Sequence, residues 1–309
     1  MDEIRVGSYL GKYKITGRLG SGGMGVVYRG EEQDLERSVA IKILPDDMRD
    51  EESIKRFKRE AKAAAILVDD SRIVKIYTTG KLKDGAPYIV MECVEGKLLG
   101  SYIGKDVVPD SAAMSWRLSK FQEILEAMAY AHENGVVHRD LKPGNIMIGK
   151  SGLVKIMDFG LALVNDKHTQ TRTGQFMGSL PYASPEQIKP NGQTDNRTDI
   201  YSLGVILYEL LTGQLPFTGG SYEVMFKVVA EPAPSVRGGN PGGSEALSNV
   251  VARCLEKEPD KRFQSVRELL ASFKACPELQ GIAKPGGSGG QASPGGNQVS
   301  SGGGDSLCS

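Results

Sequence analysis

The first clues in this 309-residue chain are things it lacks. It has no charge imbalance: lysine plus arginine number 38 and aspartate plus glutamate 38. Neither nucleic acid nor an anionic membrane is therefore marked as a main partner. It has no CxxC pair among its four cysteines (Cys93, Cys254, Cys276, Cys308), which argues against a zinc site. Four scattered thiols in a chain this long do not read as a disulfide scaffold and fit a reducing, cytoplasmic setting. No stretch reaches ~18 consecutive apolar residues, so no membrane span is expected. The opening MDEIRVGSYLGKYKI holds no apolar run of signal-peptide type. Internal repeats are absent, and so is the phosphate-binding pattern GxxxxGK(S/T). What remains is a soluble globular chain, long enough for two domains of ~100–200 residues each.

The patterning divides the chain. From 13 to 95 it predicts strands with one helix. YKITGRLG and GVVYRGEE cluster β-formers around glycines, and SVAIKIL, RIVKIYTTG and APYIVMECV are short apolar or alternating runs. Between them, residues 51–68 change period: Ile54, Phe57, Ala61, Ala64 and Val68 share one helical face. From about 97 onward the pattern is mostly helical. Met114, Leu118, Phe121, Leu125, Met128 and His132 form one stripe, with Asp110 as its expected N-cap. TDIYSLGVILYELLTG is apolar nearly all round, which predicts a helix buried within its lobe and closed by Gly213. After about 280 the composition collapses to Gly, Ser, Pro, Asn and Gln, which is expected to form a flexible tail or linker.

Four motifs carry chemistry. LGSGGMGVV holds Gly20, Gly22 and Gly25 in the spacing GxGxxG. A dinucleotide fold would follow these glycines with a helix, whereas Val26, Val27 and Tyr28 favour a second strand. The expectation is a hairpin tip lying over phosphates, bare so that backbone can approach. VAIK puts Lys42 in an apolar strand. Such an ammonium either snorkels to solvent or needs a partner, for which Glu60 on the following helix is the best candidate. HRDLKPGN gathers Asp140, Lys142 and Asn145. The first can accept or orient a hydroxyl proton, the second can neutralise a transferring phosphoryl group, and the third can give a hard oxygen to Mg²⁺. MDFG adds Asp158 as a second oxygen ligand.

Taken in this order, the motifs resemble those of the protein kinase superfamily, most closely the eukaryotic-like (Hanks-type) Ser/Thr protein kinases of bacteria. The resemblance runs from Tyr13 to about Phe273. It implies an α+β, two-lobed protein kinase fold, with a small antiparallel-sheet N-lobe at 13–95 and a mainly helical C-lobe at 96–276. A lead of 12 residues precedes it, and 277–309 form the tail. ATP as co-substrate and Mg²⁺ or Mn²⁺ follow from the resemblance. Lys42 would hold phosphates and pair with Glu60, Asp140 would be the catalytic base with Lys142 beside it, and Asn145 and Asp158 would hold metal. Leu19, Gly20, Ser21, Gly22, Gly23, Met24, Gly25, Val26 and Val27 would cover the nucleotide. Ala40, Met91, Glu92, Val94 and Met147 would enclose its base. Asp199 would accept from the catalytic-loop backbone, and Glu186 would pair with Arg262.

Within that resemblance Lys142 is the Ser/Thr form, and the complete activation segment, with GS and SPE, implies a protein substrate. Two departures stand out: SPE replaces the usual APE, and Ser179 replaces a threonine, keeping its hydroxyl. Thr171 and Thr173 are candidate autophosphorylation sites opposite Arg139. Relatives dimerise through the small lobe, so a homodimer is open. A pseudokinase-type scaffold and a small-molecule phosphotransferase are the alternative functions.

Overall fold

The computed structural model describes residues 5–22, 25–44, 46, 49–104, 111–159, 178–239 and 244–280. The described residues form two compact units, one from 5–98 with 146–159, the other from 99–145 with 178–280. The tip residues Gly23 and Met24, the helix cap Asp110, Thr171, Thr173 and the tail beyond 280 lie outside the described residues, as does the side chain of Glu60.

The first unit is built on antiparallel strands. Strands β1 (Tyr9–Leu10), β2 (Tyr13–Gly22), β3 (Gly25–Glu32), β4 (Arg37–Ile43), β5 (Ile76–Lys81) and β6 (Pro87–Glu92) form one sheet in the order β1-β2-β3-β4-β6-β5. Strands β7 (Gly96–Leu98), β8 (Ile146–Gly149) and β9 (Val154–Ile156) form a second. Strand alternation decides what β4 buries. Val39, Ile41 and Ile43 pack with Tyr13, Ile15 and Val90 on one face. Leu44, just past β4, packs instead with Phe57 and Ala61 of helix α1 (Glu51–Ile66) and with Ile89. Asp50 caps α1 by accepting from the Ser53 N–H at 2.9 Å. The helix stops two residues before its sequence pattern does. Leu67, 1% exposed, turns inward in place of Val68, which is 42% exposed. Once the 3.6-residue period ends, the next apolar side chain, not the fifth on the stripe, reaches the core.

The second unit is helical: α2 (Ser111–Glu133), α3 (Pro185–Ile188), α4 (Asn196–Thr212), α5 (Ser221–Ala230), α6 (Val236–Gly239), α7 (Glu245–Cys254) and α8 (Val266–Lys274). Helix α4 is its axis: Ile200, Leu203, Val205, Ile206, Leu207 and Leu210 are fully buried. Gly213 ends it in the left-handed region (φ 68°), donating to the Glu209 carbonyl at 2.8 Å. Within α4, a side chain at Gly204 would strike Cys254 of α7, so glycine sets how closely these helices pack. The stripe on α2 turns inward, and Phe121 meets Phe273 of α8 edge-on with centroids 5.2 Å apart. Among the described residues no helix is long and apolar enough to cross a membrane. An antiparallel-sheet unit and a helical unit match the expected α+β composition.

Candidate active site

In the first unit the glycine-rich segment is a β-hairpin, as its following residues predicted. Gly20 pairs with Val27, Ser21 with Val26 and Gly22 with Gly25. The glycines differ in purpose. Gly25 sits at φ 137°, and a Cβ there would collide with the Ile43 carbonyl oxygen on β4, so strand packing alone demands glycine. Gly20 has nothing within 4 Å of where its Cβ would be, so no neighbour among the described residues explains its bareness.

Lys42 lies in the middle of β4, opposite Val27 on one side and Ile89 on the other. It is 5% exposed, so its charge needs a partner. Its ammonium donates to Asp158 Oδ1 at 2.9 Å. Asp158 follows β9 in a left-handed conformation (φ 58°), uncommon for a non-glycine residue, just before the buried Phe159. A strand lysine and a carboxylate 116 residues further on are thus held together.

Met91, Val94 and Met147 belong to one apolar cluster with Val74, Met157 and Leu98. Ala40, 6% exposed, stands opposite Met91 in the sheet. The Glu92 N–H is engaged with the Lys75 carbonyl at 2.8 Å. Beyond it, Glu95 accepts from Arg29 at 2.9 Å and from Lys150 at 2.8 Å, tying the segment after β6 to β3 and to the β8–β9 turn. This unit offers an apolar slab beside a cation, suited to an aromatic base and a polyanion.

The second unit holds the HRDLKPGN segment by its backbone. Asp199, fully buried on α4, accepts from the His138 N–H at 2.8 Å and the Arg139 N–H at 2.7 Å. From the other side, Gln187 on α3 donates to the Arg139 carbonyl at 2.7 Å. Arg139 itself is left-handed, φ 65°, a strained turn held in place by these bonds. The turn aims Asp140. Its Oδ2 receives Lys142 Nζ at 2.9 Å and Asn145 Nδ2 at 3.2 Å. Its Oδ1 makes no hydrogen bond among the described residues. Lys142 also donates to the Ser179 hydroxyl at 2.5 Å. Asn145 Nδ2 donates to the Asp140 carbonyl at 2.8 Å as well, which leaves its Oδ1 as the acceptor. One carboxylate oxygen is anchored, one is open, and a cation stands beside both the acid and a hydroxyl.

Two buried carboxylates brace this arrangement. Burial pushes the pKa of Asp199 up, but the hydrogen bond from His132, the nearby imidazoles and the backbone donor outweigh it, and the pKa is held below its ordinary value. Burial likewise opposes ionisation of Glu186, and Arg262 overcomes it through two bonds of 2.8 and 2.7 Å. Arg262, 1% exposed, also donates to the carbonyls of Glu256, Lys257 and Arg197, so its charge is fully engaged.

Sequence reasoning missed several of these partners. His132 closed the apolar stripe of α2, yet its Nε2 lies 2.7 Å from Asp199 Oδ2. A histidine ending a buried stripe was the available signal. Tyr182 donates to Glu209 at 2.7 Å, and its carbonyl accepts from Ser202 at 2.8 Å. These bonds fasten the segment after Ser179 to α4, and burial raises the Glu209 pKa above its ordinary value. Gln187 carried no signal beyond its place in SPEQ.

The profile of the family described as "Protein kinase domain" matches residues 13–273. Serine/threonine-protein kinase PrkC of Bacillus subtilis is 40% identical over 270 residues, which cover 86% of this chain and 40% of PrkC. Serine/threonine-protein kinase PknB of Mycobacterium tuberculosis is 39% identical over 273 residues, covering 85% and 42%. The chain thus spans about 40% of the length of the curated relatives it matches. Among solved structures, the kinase domain of Mycobacterium tuberculosis PknI superposes with TM-score 0.67 at 25% identity, over 88% of this chain and 98% of that one.

Proposed function

Because the chain belongs to the protein kinase domain family, we propose that it transfers the γ-phosphate of ATP to serine or threonine hydroxyls of protein substrates, as a non-specific serine/threonine kinase. The observation that carries this reading is Lys142, whose ammonium stands 2.9 Å from Asp140 and 2.5 Å from the Ser179 hydroxyl. An attacking hydroxyl placed at Asp140 Oδ1 finds an oxygen that can take its proton. Lys142 offsets negative charge that grows as the phosphoryl group moves. Lys42 supplies a fixed cation for the nucleotide's phosphates, beside the apolar side chains of Ala40, Met91, Val94 and Met147 for its base. The glycine-rich hairpin, described at residues 19–22 and 25–27, would cover the phosphates.

Asn145 and Asp158 are hard-oxygen donors of the kind Mg²⁺ or Mn²⁺ takes. Among the described residues no three His, Cys, Asp or Glu side chains gather as a cage, so further ligands would come from phosphates and water. The cation's chemistry is to neutralise the phosphate oxygens. Glu60 joins this reading as a further partner of Lys42.

The kinase domain is taken as 13–276, with 13–95 and 96–276 as its lobes and 277–309 as a tail. Thr171 and Thr173 are proposed autophosphorylation sites. Arg139 Nε is buried with no hydrogen-bond partner among the described residues, which supports an anion arriving there. The balanced charge supports a chain whose main partner is not nucleic acid; a cytoplasmic setting is part of the same proposal. Homodimerisation through the first unit is supported by the exposed Val6, Tyr9 and Leu35, with the Tyr9 hydroxyl bonded to Gln33 at 3.2 Å.

Incubating the protein with radiolabelled ATP, Mg²⁺ and a generic basic protein tests the reading. Label is expected on serine and threonine, including the chain's own Thr171 and Thr173 by mass spectrometry, and none with Asp140→Asn. A folded wild-type protein that labels no protein would reject it.

A further inference from the structure

Helix α5 ends beside a proline. Pro232 has no N–H, so it cannot close the Val228 carbonyl four residues back. Lys257, between α7 and α8, stands in for it. Its Nζ donates to the Val228 carbonyl at 2.8 Å and to the Lys227 carbonyl at 3.2 Å. The Phe217 ring centre lies 4.3 Å from the nitrogen and that of Tyr201 5.9 Å. Among the described residues Lys257 has these two acceptors and no ion-pair partner. An ammonium carries three N–H groups and a neutral amine two. The site therefore fits the amine, which keeps both bonds and gains a lone pair. The rings attract a cation, but they also exclude the water that would solvate it. Arg262 donates to the Lys257 carbonyl at 3.2 Å. Lys189, at the end of α3, adds a second positive charge, which Glu231 and Glu256 oppose. Burial, then the Arg262 charge, pushes the Lys257 pKa from 10.5 down to about 8.

We propose that Lys257 is an acylation site: its amine takes an acyl group from a small activated donor, and the modification loosens the end of α5. The lone pair attacks the donor's carbonyl carbon and an N–C bond forms. The bond from that carbon to the phosphate oxygen of an acyl phosphate, or to the sulfur of a thioester, breaks. The proton lost from nitrogen leaves with the phosphate or the thiol. Lys257 is only half-buried, within reach of a donor of this size, and the exposed Lys189 draws an anionic one. The product amide has one N–H where the amine had two. One α5 carbonyl then loses its donor, and the acyl group must find room beside Phe217. Helix α5 packs against α3 and against Leu180–Tyr182, the segment just after Ser179. A shift of α5 is thus passed to the side of the second unit where a protein substrate would be read, and not to the nucleotide residues of the first.

The site itself is independent of the kinase reading, and its effect on phosphate transfer rests on it. The full chain is incubated at pH 7.5 with acetyl phosphate or with acetyl-CoA, and lysine acetylation is followed over time by mass spectrometry. A pKa near 8 leaves about a quarter of Lys257 neutral, against about one part in 10³ for an ordinary lysine, while the weaker base attacks more slowly. Lys257 is therefore expected to react about 10-fold faster than the exposed Lys83. The faster of the two reagents identifies the donor as acyl phosphate or thioester. A protein made with acetyl-lysine at position 257 alone, and Lys257→Gln, should raise KM for a basic protein about 3- to 10-fold with KM for ATP changed less than ~2-fold. Labelling of Lys257 no faster than Lys83 by either donor would overturn the site. An unchanged KM for the basic protein in the folded acetyl-lysine protein would overturn its consequence. A wild type that labels at Lys257 but phosphorylates nothing would count against the kinase reading and leave the site standing.

Discussion

The two units hold charge in opposite ways. In the first, Lys42 is carried on an apolar strand and meets Asp158, whose side chain is 28% exposed. In the second, Asp140 is aimed by a turn pinned to Asp199, and the Glu186–Arg262 pair lies beneath with side chains 8% and 0% exposed. The first arrangement leaves charge available to a ligand. The second spends buried charge on fixing a backbone. The same kind of ion pair therefore serves recognition in one unit and rigidity in the other, and substitutions should separate these uses.

The largest stability effect is expected from Arg262→Ala. It leaves Glu186 buried without its cation and should cost about 3–5 kcal/mol, read from urea denaturation. Lys42→Met makes the contrast. An unbranched apolar side chain in an apolar strand should leave the melting temperature nearly unchanged, while phosphate transfer falls by about 10²- to 10³-fold. If Lys42→Met destabilised as much as Arg262→Ala, the contrast between the units would fail.

A smaller effect follows from acid. Glu186 and Asp199 are held below their ordinary values of 4.5 and 3.8. The stability they contribute is complete above those values and is lost as pH falls through the lower folded ones. Melting temperature measured against pH should drop on the acid side, and Glu186→Gln should flatten part of that slope while lowering stability at neutral pH. The smallest effect belongs to the rim of the first unit: Asp50→Ala removes the α1 cap and should cost about 1 kcal/mol, with little change in activity.

Much of this was legible in the sequence, for reasons that differ by residue. Strands β3 and β4 were readable because β-branched runs and glycine punctuation are local signals. The glycine segment was readable as a hairpin because Val26, Val27 and Tyr28 cannot easily open a helix. Gly213 closed α4 as its position suggested. The ending of α1 was not readable to the residue, because Leu67 and Val68 are equally apolar and only packing chooses between them. The identities of Lys42, Asp140, Asn145 and Asp158 came from motif order. Their partners did not: the bond from Lys42 to Asp158 and that from Lys142 to Ser179 join residues 116 and 37 positions apart, where local pattern carries no information. His132 shows the converse. It was seen as one more member of an apolar stripe, and only the position of Asp199 gives its ring a task.

The most direct test of the account is Asp140→Asn, with phosphate transfer and ATP affinity measured on the same preparation. The account predicts that transfer falls by about 10²- to 10⁴-fold while ATP affinity stays within ~3-fold, because the nucleotide residues belong to the other unit. A folded Asp140→Asn protein that transfers phosphate at the wild-type rate would contradict it.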